Sequence, residues 1–384
     1  MSNNVRSAPI KIEQAQLDDL RARLSATRWP DADTTGGDWR QGIPLSYVRE
    51  LCAYWQNDYD WRRVETQLNE LNPLQTTIDE VDIHFFHIRS PHEDAMPLIV
   101  THGWPGSPIE FLKVVGPLTN PTEFGGKASD AFHLVLPNLP GYGFSGKPVE
   151  DGWNVEKIGR AWGTLMQRLG YERYVAQGGD WGGMVTTSMG ITETTHCAAI
   201  HTNLVIAAPD PDTMDSLSDI EQKALEGISY YDAEDSGYSK QQGTRPQTLG
   251  YGLADSPSGQ LAWIVEKFWS WTDSEQDGVK HPENVLGRDE LIDNVMFYWL
   301  NNAAASSARL YWESFKSPSL EQVDMPTGCS IFPKEIFLCS RRWAEKRFTN
   351  LIHWNELDKG GHFAAFEQPD IFVDEVRSCF RAVR

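Results

Sequence analysis

Two stretches near the amino terminus, Ile12 to Thr27 and Pro44 to Asn57, space their apolar residues as helices do, and alternating Val81, Ile83 and Phe85 predict a strand. From Pro97 the pattern changes. Leu98-Ile99-Val100-Thr101 is a short apolar run, a Gly/Pro turn follows, and Ile109 to Leu118 reads as a helix. Phe132 to Leu136 repeats the apolar run. Asn154 to Leu169 carries Val155, Ile158, Trp162, Leu165, Met166 and Leu169 along one face, with Asn154 placed to cap the helix and Gly170 to end it. Tyr174-Val175-Ala176 then enters a glycine-rich turn, and Ala198 to Ile206 is another buried run. Strands alternating with helices predict an α/β chain built on a mainly parallel sheet flanked by helices.

From about Ala207 to Ser307 this rhythm breaks into long helical patterns, Gly259 to Trp271 and Asp289 to Asn302 among them, with little strand signal. Alternation resumes at Cys329-Ser330-Ile331-Phe332. The expected organisation is an amino-terminal, Trp-rich helical region over 1–95, the first part of the core over 96–206, a helical lid over 207–307 and the second part of the core over 308–384.

Charge narrows the partners. The chain carries 34 basic and 54 acidic side chains, a formal charge of −20, so its surface repels phosphate backbones and anionic lipid heads. Neither nucleic acid nor a membrane is an expected partner. Cys52, Cys197, Cys329, Cys339 and Cys379 are widely spaced without a CxxC pair and read as reduced thiols. Met1 to Gln16 contains no continuous apolar stretch, which sets cytoplasmic localisation as the expectation.

The candidate chemistry centres on Gly178-Gly179-Asp180-Trp181-Gly182-Gly183, between a short strand and a helix. Small residues there permit a sharp turn that lifts one side chain above the sheet, and Asp180 stands at its apex. A serine at that position would need a base to attack; a carboxylate is already ionised and can displace a leaving group at saturated carbon. The competing reading is that Asp180 caps the following helix, so its partners decide.

Thr101-His102-Gly103-Trp104-Pro105-Gly106-Ser107 follows the first core strand, and backbone N–H groups of Trp104 and Trp181 are placed to form an oxyanion hole. Gly360-Gly361-His362-Phe363 puts a histidine where a nucleophile, acid, histidine order requires the base. The orienting acid is expected after a strand, and Glu335 in Phe332-Pro333-Lys334-Glu335 fits better than Glu356 or Asp358 on the loop toward the histidine. No metal is expected. His84 and His87 fall on opposite faces of an alternating strand, and Asp210, Asp212 and Glu221 match a calcium loop in which Met214 and Asp215 occupy required ligand and glycine positions.

With these motifs in hand, the chain resembles the microsomal-type epoxide hydrolases of the α/β-hydrolase superfamily over nearly its whole length. The resemblance rests on Arg28-Trp29-Pro30, Tyr59-Asp60-Trp61-Arg62, His102 to Ser107, Gly141-Tyr142-Gly143-Phe144-Ser145, Gly178 to Gly183, Phe332 to Glu335, and Gly360 to Glu367. It implies Asp180 as nucleophile, His362 as base, Glu335 as its acid partner, no cofactor, and two lid tyrosines gripping the epoxide oxygen. By local context those fall on Tyr238 and Tyr311, with Tyr230, Tyr231, Tyr251 and Tyr298 as substitutes.

An apolar, aryl-bearing epoxide and water are the expected partners, because the lid run Leu261 to Trp271 is aromatic and Trp104, Trp181 and Phe363 border the reacting atoms. A haloalkane dehalogenase would share the Asp/His machinery but needs halide-binding N–H donors. A non-catalytic ligand-binding protein would not need the Asp, His and Glu set. The identity of the epoxide, the choice between detoxification and secondary metabolism, and assembly as a monomer or homodimer stay open at this level.

Overall fold

A computed structural model describes residues 5–316 and 319–384, and in it the alternating segments join one nine-stranded sheet. In chain order the strands are β1 (Arg6–Ser7), β2 (Pro73–Ile78), β3 (Val81–Ile88), β4 (Met96–Thr101), β5 (Phe132–Pro137), β6 (Tyr174–Gly178) and β7 (Cys197–Thr202). A separate hairpin, β8 (Glu275–Gln276) and β9 (Val279–Lys280), precedes β10 (Thr327–Ile331) and β11 (Leu351–Glu356). The sheet order is β1-β2-β3-β5-β4-β6-β7-β10-β11, antiparallel from β1 through β5 and parallel from β5 to β11.

The expected amino-terminal helices are α1 (Gln14–Ser25) and α2 (Leu45–Asn57). The sequence reading passed over α3 (Trp61–Glu70), capped by the Asp60 side chain on the Arg62 amide, and over β2. Asp79 and Glu80, both at positive φ, turn β2 into β3; such a two-residue turn usually announces itself with a glycine. So residues before Met96 are not wholly helical: β1, β2 and β3 extend the main sheet.

Core helices α4 (Leu112–Thr119), α5 (Val155–Arg168) and α6 (Asp180–Thr192) follow β4, β5 and β6. In α5 the Asn154 side chain accepts from the Lys157 amide at 3.0 Å, Val155, Ile158, Trp162, Leu165 and Met166 are buried, and Gly170 lies at φ +82° beyond its end. The lid comprises α7 (Asp219–Tyr230), α8 (Gly237–Thr244), α9 (Pro246–Asp255), α10 (Pro257–Trp271), α11 (Arg288–Trp299) and α12 (Ala304–Ser314). Its last helix therefore continues past residue 307. The chain ends with α13 (Arg341–Ala344), α14 (Ala364–Glu367) and α15 (Pro369–Phe380).

Two features of this layout position the site. β4 lies between β5 and β6, so the loops leaving β4 and β6 emerge side by side at the carboxyl ends of parallel strands, where open α/β sheets place their ligands. The amino-terminal helices meanwhile brace the lid. Arg63 forms a two-pronged contact with buried Asp293 of α11 at 2.7 and 2.8 Å, and Tyr59 donates to the same carboxylate at 2.6 Å. All five cysteines are buried and unpaired.

Candidate active site

The glycines around Asp180 let β6 and α6 meet at a sharp turn. Asp180 adopts φ +50°, a left-handed conformation that costs a non-glycine residue free energy. A methyl group on Gly182 would lie 1.9 Å from the Thr101 carbonyl oxygen, so the start of α6 can press against β4 only because that position lacks a side chain. The Asp180 carboxylate serves as no cap. Its Oδ1 accepts the Trp104 N–H at 2.7 Å, and its Oδ2 faces His362 Nε2 at 3.2 Å. Trp181, the other expected oxyanion donor, begins α6 next to the carboxylate, but its amide makes no hydrogen bond to Asp180 in this geometry.

His362 follows β11 on the loop into α14, and its amide donates to the Trp271 carbonyl of α10 at 2.9 Å. That bond ties the loop to the lid. The His362 Nδ1–H donates to Glu335 Oε1 at 2.5 Å, which orients the ring and leaves Nε2 toward Asp180. Burial opposes charge on this imidazole, but the carboxylates of Glu335 and Asp180 outweigh it and hold the pKa well above the ordinary histidine value. Glu335 comes from the loop after β10, where Lys334 bridges Gly361.

Two cavities meet at Asp180. The larger, about 300 Å³, is lined by Trp181, Met184, Leu204, Phe315 and Phe337, with Tyr231, Tyr238 and Tyr311 beside Asp180. The smaller, about 20 Å³, is bordered by Trp104, Glu110, Gln177, Asn203, His362 and Phe363. Of the three residues expected to line a substrate pocket, Trp181 borders the larger cavity. Trp104 and Phe363 border the smaller one: the Trp104 ring stacks on Tyr238 with centroids 4.9 Å apart, and Phe363 packs on Phe268 at 4.2 Å.

The chain is similar to known proteins in sequence and fold. Residues 5–111 match the family described as epoxide hydrolase N terminus, and 96–249 match the alpha/beta hydrolase fold. A protein of Stigmatella aurantiaca bearing an epoxide hydrolase name is 52% identical over 376 residues, covering 98% of this chain and 84% of its own. Epoxide hydrolase 1 of Sus scrofa is 32% identical over 401 residues, covering 96% of this chain and 87% of the relative. The chain belongs to the microsomal-type epoxide hydrolase family. The structure of Aspergillus niger epoxide hydrolase matches with a TM-score of 0.89 at 30% identity, over 99% of this chain and 97% of that one. The fold is thus that of the α/β hydrolases, and the activity is that of an epoxide hydrolase.

In this epoxide hydrolase the lid tyrosines separate by position. Tyr238 on α8 and Tyr311 on α12 are buried, with rings 5.8 Å apart, and among the described residues the Tyr311 hydroxyl has no hydrogen-bond partner. Tyr231 also borders the large cavity, but its hydroxyl donates to Ser239 at 2.8 Å and meets the Tyr238 hydroxyl at 3.2 Å. Tyr230 and Tyr251 are exposed, and Tyr298 donates to the Gly106 carbonyl at 2.7 Å.

The residues weighed as metal ligands have other occupations. His84 meets Asn138 and the Ala8 carbonyl, His87 meets Tyr171, and Glu221 is bound by Arg342, Ser340 and the Ser218 amide. Asp210 accepts from the Asp212 amide. Among the described residues no helix is long and apolar enough to cross a membrane.

Sequence reasoning missed Glu110, Gln177 and Asn203 on the small cavity, and the buried Lys267–Asp235 pair at 2.6 Å behind Tyr238. Glu110 does leave a signal. Ser107 and Glu110 form a capping box on the turn Pro108–Phe111, a pattern that explains the glutamate without reference to chemistry.

Proposed function

We propose that this chain opens an apolar epoxide to a vicinal diol in two covalent stages. In the first, Asp180 Oδ2 attacks an epoxide carbon in the larger cavity. The carbon–oxygen bond of the ring breaks, and Tyr238 and Tyr311 donate to the departing oxygen, one of them giving up its proton. Such general-acid help is worth roughly a hundredfold to ten-thousandfold.

In the second stage His362 takes a proton from water, whose oxygen bonds to the Asp180 carboxyl carbon. The oxyanion on Oδ1 is held by the Trp104 N–H, the same group that already meets that atom at 2.7 Å. The ester bond to Oδ2 then breaks, and the leaving alkoxide takes the proton from His362. The second hydrogen of that water, left on the Asp180 carboxyl, returns to the tyrosinate. Water is consumed, a diol is released, and every side chain regains its starting state.

The observation that carries this reading is the division of labour at the Asp180 carboxylate: one oxygen held by a backbone amide, the other facing the imidazole and bordering an apolar cavity. Alkylation would neutralise Asp180, one of the two charges that keep His362 protonated; the imidazolium then gives its proton to solvent and takes one back once the Asp180 carboxylate is freed. Forming the ester therefore prepares the base that removes it. Two phenol hydroxyls at the cavity suit an oxygen leaving group better than a halide, and Trp181, Phe315 and Phe337 favour an aryl substituent.

Single turnover of styrene oxide in heavy-oxygen water tests the reading. The first diol should carry light oxygen from Asp180, and later turnovers solvent oxygen. Solvent oxygen in the first diol would exclude the covalent route.

A further inference from the structure

Among the described residues, Asp180 alone borders both cavities. The substrate side is large and mostly apolar. The other side is different in kind: about 20 Å³ of space, too little for any epoxide and sufficient for one water, which needs roughly 10–15 Å³ and two to four polar partners.

Those partners are present. Gln177, at the end of β6 and 1% exposed, donates through Nε2 to Asn203 Oδ1 at 3.0 Å, while its Oε1 is buried without a partner among the described residues. An orphaned buried acceptor costs about 1–3 kcal/mol unless something donates to it. Glu110 is also buried at this chamber; its Oε1 accepts the Ser107 amide at 3.1 Å, and among the described residues no group meets Oε2. His362 completes the polar wall.

We propose that the small chamber holds the water that hydrolyses the Asp180 ester, and that Glu110 and Gln177 position it for His362. One water hydrogen points to His362 Nε2 and the other to Gln177 Oε1, which leaves the oxygen lone pairs for Glu110 and for the Asp180 carboxyl carbon. Burial pushes the Glu110 carboxyl up to about 8, so at neutral pH it presents an O–H that can donate to that oxygen. Water and epoxide then reach Asp180 from opposite sides. The separation of the two cavities also keeps water away from the epoxide before the ester has formed.

This inference rests on the two-stage reading, and its test separates the two. Ester formation and decay are followed by rapid-quench intact-mass measurement with styrene oxide in the wild type, Gln177→Leu, Glu110→Leu, Glu110→Gln and His362→Gln. Both leucine variants should form ester within about twofold of the wild-type rate and lose it roughly ten- to a hundredfold more slowly, as expected for a misplaced reactant. Glu110→Gln, which keeps an N–H donor and an acceptor for the Ser107 amide, should restore decay toward the wild-type rate. Wild-type decay in Gln177→Leu overturns the chamber assignment, as does parallel slowing of both stages. Absence of any ester in His362→Gln overturns the two-stage reading and the chamber with it.

Discussion

The ammonium of Lys267 lies 4.6 Å from the centre of the Tyr238 ring. It also donates to Asp235 at 2.6 Å, and Asp235 accepts the Trp271 indole N–H at 2.5 Å. The Trp271 ring in turn lies 5.1 Å from His362. Tyr238 of the lid, and through Trp271 also His362 of the core, are thereby tied to one buried ion pair. Lys267→Met would strand the Asp235 charge and should destabilise the fold by about 3–5 kcal/mol. Adding Asp235→Asn should recover much of the loss. Denaturant midpoints of the single and double variants measure this, and an unaltered midpoint in Lys267→Met would contradict it.

The three tyrosines bordering the large cavity should differ in consequence. Tyr238→Phe or Tyr311→Phe removes a donor to the departing oxygen and should lower the rate of ester formation on the order of a hundredfold. Tyr231→Phe removes bonds to Ser239 and Tyr238 only, and a change of a few fold is expected. Stopped-flow alkylation rates distinguish them; equal losses in all three would deny Tyr238 and Tyr311 their special role.

The pH dependence of ester decay should report the charges around His362. Glu335 and Asp180 hold its pKa up against burial. In the ester Asp180 is neutral, so the imidazole loses its proton at lower pH than in the free enzyme. Glu335→Gln removes the second charge and should move the decay limb further toward acid, while lowering the plateau because the base is weaker and less oriented. A limb that moves toward alkali would show that another group titrates.

Glu367 supplies a stability test that does not depend on turnover. Burial pushes its carboxyl from the ordinary 4.5 up to about 7, so the folded state binds the proton more tightly than the unfolded chain. The associated stabilisation is complete below about pH 4.5 and is lost as pH rises toward 7, a difference of about 3 kcal/mol. Glu367→Gln keeps an acceptor for the Asp273 amide, which meets Glu367 at 2.8 Å. The variant should gain stability over the wild type by that order at pH 8 and little at pH 4. Equal differences at the two pH values would refute the shift.

How far the chain can be read before it is seen folded depends on which signals are local. Helix α5 was legible because Asn154, a regular apolar face and Gly170 all act within its own length. The Asp180 turn was legible because its geometry demands glycine. Helix α3 escaped because only Trp61, Val64 and Leu68 form its buried face, and β2 escaped because Gln75, Thr76 and Thr77 interrupt its apolar character. The division between the cavities was invisible for a different reason. It depends on which way Gln177, Trp104 and Phe363 face once separate loops converge, and no periodicity records that.

Strand β3 runs along β5 from Phe85 opposite Pro137 to Ile88 opposite Leu134. Severing the chain ahead of β4 would therefore bare a ladder of amides and carbonyls beside Phe132, Leu134 and Leu136, residues now sealed in the interior. Such a fragment would clump through its naked margin instead of surviving as a smaller working enzyme. The leading segment is a permanent guard on that seam, with no freedom to be an optional attachment.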